Sequence, residues 1–353
     1  MGSVKDLKVI KAPASGSLGL GDFFFTDDYS VKDWGKMPDV ISLKGASIAL
    51  MAAMSFELAE ASGFETDYVG LVENGEVKRL AELDGPCNVM RVKLANVIKP
   101  VYNGKSYDYS FFKSNQGKLN AYVIPVECVY RNGLPKGSSA LRDLRAGKAK
   151  PEDFGLSVIP DDGVMLLRPV CDFSSKFEES GDRKIKARGE LLDVSGLTDS
   201  QFSSLENVLH GASSVVSKHC SDIELIDWDG KLEFIWYEGK PVIADVLGTP
   251  DENRFSLGAL QVSKEVVRQW YDKNQPAWAG KITDYKKLGP DWRQAMIKDG
   301  LTPVKLPSDF VSLVGEMYAA TANLYCQRRF FDVRPLADVM KALDSTGCAI
   351  YVK

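Results

Sequence analysis

The chain has 353 residues, of which 44% are hydrophobic, and its formal net charge is −4. A chain of this length is expected to bury a substantial core in one large or two medium domains. The slight negative charge argues against a nucleic-acid binder that works by bulk electrostatics. No apolar run approaches the ~20 residues of a membrane span, and no apolar signal region is seen at the N-terminus. These features predict a soluble, cytoplasmic protein without a membrane partner.

The few histidines and scattered cysteines limit the chemistry. The six cysteines show no metal-ligand spacing and indicate free thiols in a reducing compartment. The two histidines, His210 and His219, fall in one predicted helix, which disfavours histidine-based nucleophilic catalysis and a His-rich metal site. Any catalysis should therefore depend on carboxylates, lysines, arginines and a bound cation.

The first half of the chain is rich in predicted strands. Residues 11–21 are small and Gly-rich and predict a loop, and the three phenylalanines at 23–25 predict the end of a buried strand. Residues 46–62 carry apolar side chains at helical spacing. From about 66 to 131 the pattern is typical of strands separated by turns, whereas residues 140–190 are charged and predict loops.

Helices and one hairpin are predicted in the second half. Thr198 or Asp199 is expected to cap a long helix, and Ser263 and Ser308 are expected to cap two more. The long helix has an apolar face made by Phe202, Leu205, Leu209, Ala212 and Val216. Residues 223–247 predict a hairpin. Strands first and helices mixed with a hairpin later indicate an α+β fold, with a boundary near residues 125–130 and a nucleotide cleft between two lobes.

Two carboxylates in the predicted hairpin suggest a cation site. With a three-residue loop, Glu238–Lys240, Glu233 falls opposite Asp245 and their Cβ atoms lie about 4.5–5.5 Å apart. Carboxylates that close need a cation between them, and Mg²⁺ bridging nucleotide phosphates is the natural one. A two-residue turn at Glu238-Gly239 instead places Asp245 on the opposite face. The sequence does not decide the register, and an ordinary solvated polar face is the alternative to a site.

Two further segments suit anions. Residues Tyr122–Asn132 predict a strand with Glu127 and Arg131 on one face, followed by a Gly/Pro loop with free backbone N–H groups at Gly133–Ser139. The N-terminal GSVKDL places Lys5 where it could cover ATP phosphates. Taken singly, each segment is weak evidence, and an ordinary surface loop or a solvated terminus is the default interpretation.

Four motifs in order resemble one family. They are GSVKDL, FTDDYSVKDWGKMPD with SLKG, IPVECVYRN followed by GSS, and KLEF followed by ADVLGTPDENRF. Together they are similar to the signatures of the SAICAR synthetase family, over nearly the whole chain. The chain length and the sequence of the DVLGTPDE motif favour the longer-chain branch of that family.

The resemblance implies a fold and an activity. The fold is α+β and two-lobed, with an antiparallel-sheet, ATP-binding N-terminal lobe at residues 1–125 and a mixed α/β lobe at 126–353 that holds the Mg²⁺ and substrate sites. The implied activity is an ATP- and Mg²⁺-dependent ligase of purine biosynthesis. It joins a carboxyaminoimidazole ribonucleotide to L-aspartate through an acyl phosphate. The implied partners are these small molecules, and a homo-oligomer is compatible with the sequence.

The resemblance also implies residue roles. The catalytic residues are Lys176, Asp182 and Lys231, and the ATP-binding residues are Lys5 and Glu127. The substrate-binding residues are Asp33, Arg131, Ser138, Asp229 and Arg254. The Mg²⁺ ligands are Glu233 and Asp245, an assignment that favours the three-residue hairpin loop.

Departures from the family motifs keep other functions open. Ser3, Lys32 and Ile235 stand where the family has Lys, Phe and Gly. One rival is a homologous ligase that uses a related azole carboxylate or another amine in specialised, C-nucleoside-type metabolism. The others are a catalytically inactive nucleotide-binding homologue and a phosphotransferase that needs no amine.

Overall fold

The computed structural model describes residues 4–178, 181–347 and 350–352, so Ser3 lies outside the described residues. The first strands are β1 Lys5–Lys11, β2 Gly19–Phe25, β3 Tyr68–Glu73, β4 Glu76–Lys78, β5 Val89–Leu94, β6 Val101–Tyr102, β7 Tyr107–Asp108 and β8 Tyr122–Val123. The later strands are β9 Val126–Leu134, β10 Val164–Ser175, β11 Lys184–Ile185, β12 Leu225–Tyr237, β13 Lys240–Ala244, β14 Asn253–Leu257 and β15 Leu260–Val262.

Helices flank these strands. The first are α1 Lys44–Ala61, α2 Ser110–Ser114, α3 Ser139–Arg145, α4 Arg188–Ser195 and α5 Asp199–Asp222. The others are α6 Glu265–Asn274, α7 Pro276–Ala279, α8 Ile282–Lys286, α9 Trp292–Lys298, α10 Ser308–Tyr325 and α11 Leu336–Ser345. Within the described ranges, no helix is both long enough and apolar enough to cross a bilayer.

An antiparallel five-stranded sheet is built from the first hundred residues. Its strand order is β1-β2-β5-β3-β4. As predicted, the phenylalanine run ends a strand, because β2 stops at Phe25. The predicted loop is shorter than expected: β1 reaches Lys11, and β2 begins at Gly19. Gly19 permits this tight return, since a Cβ atom there would lie 2.3 Å from the carbonyl oxygen of Lys11.

The second sheet is organised around β12. Its order is β11-β10-β9-β12-β14-β15, and β8 and β13 also pair with β12. The prediction of loops over residues 140–190 is wrong for β10, a 12-residue strand that pairs with β9. Much of β10 is exposed, Leu167 completely so, and the strand therefore lacks a clean alternation of buried and exposed side chains. Pairing with β9, which the local sequence does not reveal, organises β10.

The long helices form most of the core. Thr198 caps α5 as predicted, accepting a hydrogen bond from the backbone N–H of Gln201. All five residues of its predicted apolar face are buried. The predicted helix at 46–62 is α1, which begins at Lys44. Ser308 begins α10 as its first residue, but its side chain makes no capping hydrogen bond, so that predicted cap is wrong. The mixture of antiparallel sheets and helices confirms the α+β class.

The β12–β13 hairpin, whose register the sequence left open, has the two-residue turn and not the three-residue loop that the metal assignment favoured. Tyr237 pairs with Lys240, so the turn contains only Glu238 and Gly239, and Glu233 lies opposite Ala244. Both turn residues have positive φ, 50° and 78°. A two-residue turn with positive φ at both residues matches the right-handed twist of the two strands that it joins.

A buried ion pair joins distant parts of the chain. Lys44, the lysine of SLKG at the start of α1, is 1% exposed, and its Nζ lies 2.8 Å from Oδ2 of Asp251. Asp251 follows β13, and its Oδ1 accepts a hydrogen bond of 2.7 Å from the Tyr318 hydroxyl on α10. The pair therefore links α1, the segment after the hairpin, and α10.

Replacing Lys44 by methionine is expected to lower the free energy of unfolding by about 3–5 kcal/mol, because Asp251 would be left as a buried carboxylate without its cation. Urea denaturation followed by circular dichroism measures the change. Lys341→Met is the matched control, since Lys341 is an exposed partner of Asp338 and should cost less than about 1 kcal/mol. Equal effects of the two variants would contradict a structural role for the buried pair.

Candidate active site

Three adjoining cavities lie where the two sheets meet. The first, called the large cleft, has a volume of about 890 Å³ and is lined in part by Lys5, Asp67, Lys176, Glu233 and Asp245. The second, called the central cavity, has about 630 Å³ and is lined in part by Tyr29, Asp33, Lys44, Lys231 and Arg268. The third, called the small cavity, has about 240 Å³ and is lined in part by Glu127, Arg131, Asp182, Asp229 and Arg254. Eleven of the twelve predicted site residues are among these side chains, which supports treating the three cavities as one site.

Alternation along β12 positions the main polar side chains. Asp229, Lys231 and Glu233 stand at every second residue, so they project from one face of the sheet. The neighbouring strand β9 carries Glu127 and Arg131 at the same spacing, and Asp229 pairs directly with Arg131 in the sheet register. Two adjacent strands thus supply the floor of the small cavity.

Asp245 reaches the large cleft despite the changed hairpin register. Its φ is 74°, a left-handed conformation that ends β13 and breaks the strand alternation. Its backbone N–H donates a hydrogen bond of 3.1 Å to Oδ2 of the buried Asp67. Backbone conformation, rather than strand register, therefore places Asp245 in the same cleft as Glu233.

Each of these two carboxylates faces a lysine. Lys5 forms an ion pair with Asp245, and Lys176 Nζ lies 2.5 Å from Glu233 Oε1. Burial and the nearby Asp245 charge raise the pKa of Glu233. Burial also opposes ionisation of Asp245, but Lys5 and Lys176 hold its pKa below the usual value. The two neighbouring carboxylates, Glu233 and Asp245, thus attract positive charge.

The donor set of the large cleft fits Mg²⁺. The described residues contain no cluster of three or more metal-ligating side chains. Mg²⁺ characteristically keeps several waters and takes only one or two protein carboxylates together with substrate phosphates. Glu233 and Asp245 supply that number of carboxylates beside a cleft large enough for a nucleotide.

Asp229 holds two arginines in the small cavity. Oδ2 of Asp229 accepts hydrogen bonds of 2.9 Å from Arg131 and 2.8 Å from Arg254. Arg131 also donates a hydrogen bond of 2.6 Å to the Asp172 carboxylate and one of 3.4 Å to the Ser139 hydroxyl. Two fixed guanidinium groups and a hydroxyl are the kind of donors that can bind a phosphate or a carboxylate.

Ser139, rather than Ser138, is the hydroxyl of this cavity. Ser138 was predicted to bind substrate, but it is 1% exposed and its Oγ accepts the backbone N–H of Leu141, which caps α3. Ser139 is the next residue and lines the small cavity. Helix capping, which sequence alone did not predict here, commits Ser138 to a structural hydrogen bond.

Lys231 lies among carboxylates between the small and central cavities. Its Nζ is 3.0 Å from Glu127, 3.2 Å from Glu252 and 3.8 Å from Glu233. Burial lowers the pKa of Lys231, but these carboxylates outweigh it and raise the pKa above the usual value. Lys231 therefore stays charged. Glu127, predicted to bind ATP, lines the small cavity with Lys231 instead of the large cleft.

Asp182 has a raised pKa. Burial raises its pKa to about 8, and the negative charges of Glu127 and Asp33 contribute to the shift. Its carboxyl group also hydrogen-bonds to Glu127. The carboxyl group of Asp182 therefore lies beside that of Glu127, which contacts Lys231.

Asp33 enters the site, whereas Lys32 does not. Asp33 lines the central and small cavities, and its carboxylate pairs with Lys286. Burial opposes its ionisation, but Lys286 lowers its pKa. Lys32 lines none of the three cavities and forms an ion pair with Asp272 on α6. The family departure at Lys32 is therefore a surface contact.

Several lining residues were missed from sequence. They are Ser139, Glu252, Lys264, Arg268 and Arg293. Lys264 and Arg268 stand four residues apart at the start of α6, a spacing that puts two cations on one helix face and could have drawn attention. Glu252 lies inside the quoted DVLGTPDENRF segment. Nothing in the local sequence distinguishes Arg293.

The site defines a class of enzyme. Its cations and carboxylates surround adjoining spaces for anionic molecules, and neither cysteine nor histidine is among the described residues that line them. Such a site works by positioning anionic reactants and stabilising charge, as in phosphoryl transfer from a nucleotide to an acceptor.

Comparison with known proteins gives the family. The SAICAR synthetase family model matches residues 22–285. The provisionally named phosphoribosylaminoimidazole-succinocarboxamide synthase of Archaeoglobus fulgidus is 42% identical over 344 residues, 97% of this chain and 98% of that protein. The phosphoribosylaminoimidazole-succinocarboxamide synthase of Thermoplasma acidophilum is 27% identical over 84% of this chain and 89% of that protein. The chain belongs to the SAICAR synthetase family and is an ATP-dependent carbon–nitrogen ligase of purine biosynthesis.

Solved structures agree in fold. The SAICAR synthase of Saccharomyces cerevisiae, complexed with SAICAR, is 18% identical and has a TM-score of 0.62 over 93% of this chain and 94% of that chain. A SAICAR synthetase in complex with ADP is also 18% identical, with a TM-score of 0.53 over 86% of this chain and 99% of that chain. At this identity the likeness establishes the fold, as the sequence predicted.

Asp182→Asn is expected to flatten the alkaline limb of the pH profile of kcat/KM. In the wild type, Asp182 loses its proton above about pH 8, and the new charge beside Glu127 and Asp33 should repel anionic substrates, so activity falls. Asparagine cannot ionise and should keep its pH 7 activity at pH 9. Steady-state kinetics from pH 6 to 10 measure this, and an unchanged alkaline limb in the variant would contradict the assignment.

Proposed function

We propose that this chain forms an amide between carboxyaminoimidazole ribonucleotide and L-aspartate, driven by Mg²⁺-ATP. One observation carries the proposal: Asp229 holds Arg131 and Arg254 as an anion site. This site adjoins, through the central cavity, the cleft that contains Glu233 and Asp245. A ligase of this kind needs separate sites for two phosphorylated molecules whose reacting ends meet.

ATP would occupy the large cleft. Lys5 would contact its phosphates, and Glu233 and Asp245 would hold Mg²⁺, which neutralises phosphate charge when bound. Lys5 and Lys176 would then be freed from these carboxylates to bind phosphate oxygens. In this proposal residues 1–125 form the ATP-binding lobe and residues 126–353 supply the metal and substrate ligands.

The imidazole nucleotide would occupy the small cavity. Its phosphate suits Arg131, Arg254 and Ser139, and its carboxylate would point toward Lys231. The SAICAR complex of the yeast relative and the names of the curated relatives support this choice of azole and of aspartate as the amine. The central cavity beside Asp33 leaves room for the amino acid.

The proposed reaction has two steps, phosphoryl transfer and amide formation. A carboxylate oxygen of the azole attacks the γ-phosphorus, the bond to the β,γ-bridging oxygen breaks, and ADP leaves with that electron pair. The aspartate nitrogen then attacks the acyl carbon of the resulting acyl phosphate, inorganic phosphate leaves, and the nitrogen loses a proton. Lys176 and Lys231 would stabilise the charge that develops on oxygen, and Glu127 would lie beside Lys231 to receive a proton.

Purified protein is expected to release ADP and form the amide only when the azole carboxylate, aspartate and Mg²⁺-ATP are all present. Coupled ADP detection and mass spectrometry of the product measure this. No ADP and no amide at saturating substrate would reject the proposal. Continuous ADP release at the same rate without aspartate would indicate a phosphotransferase instead.

Asp245→Asn is expected to lower kcat/KM by roughly 100-fold or more, because a neutral amide weakens Mg²⁺ at the phosphates and several kcal/mol of charge stabilisation are lost. Titration of ATP binding with and without Mg²⁺ should show that the variant loses most of the Mg²⁺-dependent gain in affinity. Asp338→Asn on α11, at a residue that lines none of the three cavities, is the control. A variant with wild-type activity and Mg²⁺ dependence would refute the metal assignment.

A further inference from the structure

Arg293 lies at the junction of two cavities. Among the residues that the structure describes, it is the one side chain that lines both the large cleft and the central cavity. It belongs to α9, beyond residue 285, where the family match ends. Its place is thus a property of this chain's C-terminal segment and does not follow from the family motifs.

Contacts that carry no net charge hold the Arg293 guanidinium. Its Nε and Nη2 donate hydrogen bonds of 2.8 Å and 2.5 Å to the backbone carbonyl oxygen of Asp33. The guanidinium carbon also lies 4.6 Å from the centre of the Trp292 ring. These contacts fix the orientation of the group and leave further N–H donors for another partner.

The positive charge of Arg293 is not neutralised by the protein. The other cations of the central cavity lie 2.8–3.7 Å from a carboxylate, and they are Lys44, Lys231, Lys264 and Arg268. Arg293 makes no ion pair with any residue in the described ranges. A fixed, unpaired cation therefore stands where the contents of the large cleft and the central cavity would meet.

We propose that Arg293 contacts the γ-phosphate of ATP and the acceptor carboxylate, and stabilises the charge on the phosphoryl group during its transfer. This inference rests on the proposed function, in which ATP fills the large cleft. Two anions must approach each other there, and a guanidinium offers parallel N–H donors to both. Arginines that act on a transferring phosphoryl group typically contribute large rate factors.

Nucleotide binding tests the contact without turnover. Calorimetry compares Mg²⁺-ADP with the Mg²⁺ complex of the β,γ-imido analogue of ATP in the wild type, Arg293→Met, Arg293→Lys and Lys298→Met. Arg293→Met should weaken binding of the imido analogue by about tenfold or more and binding of ADP by less than about twofold. Arg293→Lys should lie between, and Lys298→Met, an exposed change on the same helix, should match the wild type.

Two binding outcomes would overturn the proposal. Equal affinity of Arg293→Met and the wild type for the imido analogue would place the guanidinium away from the γ-phosphate. Equal weakening of ADP and the analogue, together with a lowered melting temperature, would show that Arg293 only supports the fold around Asp33. The Arg293→Lys variant guards against a folding defect caused by methionine alone.

Single-turnover ADP formation tests the catalytic part. With the azole carboxylate present, Arg293→Met should be slower by about 100- to 1,000-fold, and added guanidinium ion should restore part of the rate in Arg293→Ala. A full rate in Arg293→Met, with an active wild type, would reject this inference alone. The wild type could instead bind the imido analogue more tightly than Arg293→Met does and yet form no ADP. That result would reject the proposed ligation but would leave the contact between Arg293 and the γ-phosphate supported.

Discussion

The buried carboxylate of Asp229 is the interaction on which the site depends. It is 3% exposed on the central strand β12 and accepts hydrogen bonds from Arg131 on β9 and Arg254 on β14. A buried charge is tolerated only when it is paired and hydrogen-bonded, so the two arginines are required as much as the aspartate. The same bonds hold two guanidinium groups side by side across three strands. The position of both arginines therefore depends on the same buried carboxylate in the middle of the sheet.

Charge compensation extends across the other cavities. Lys5 faces Asp245, Lys176 faces Glu233, and Lys231 lies among Glu127 and neighbouring carboxylates. These pairs keep buried charges stable before substrates arrive. Phosphates and a divalent cation can then replace protein partners without creating unpaired charge, which suits a reaction between anions that uses no protein nucleophile.

Sequence reasoning succeeded where a local pattern has one physical solution. Thr198 and the apolar face of α5 were predicted because capping and helical spacing are local. The motif resemblance named Asp229, Lys231 and Glu233, and in the structure strand alternation puts all three on one face of β12. The sequence left the hairpin register open, because both loop lengths are compatible with it, and it did not reveal that the Ser138 hydroxyl caps a helix.

The sequence by itself determined the family and its ligase chemistry through four motifs that resemble the family signatures, and it determined the α+β class through the order of predicted strands and helices. Tertiary structure decided which cavity each side chain enters. The left-handed backbone at Asp245 turns its carboxylate toward Glu233, and the packing of α8 and α9 against Asp33 brings Lys286 and Arg293 to the site from about 250 residues away. Contacts so distant along the chain leave no periodic signal in it, since they arise only when the sheets and helices pack.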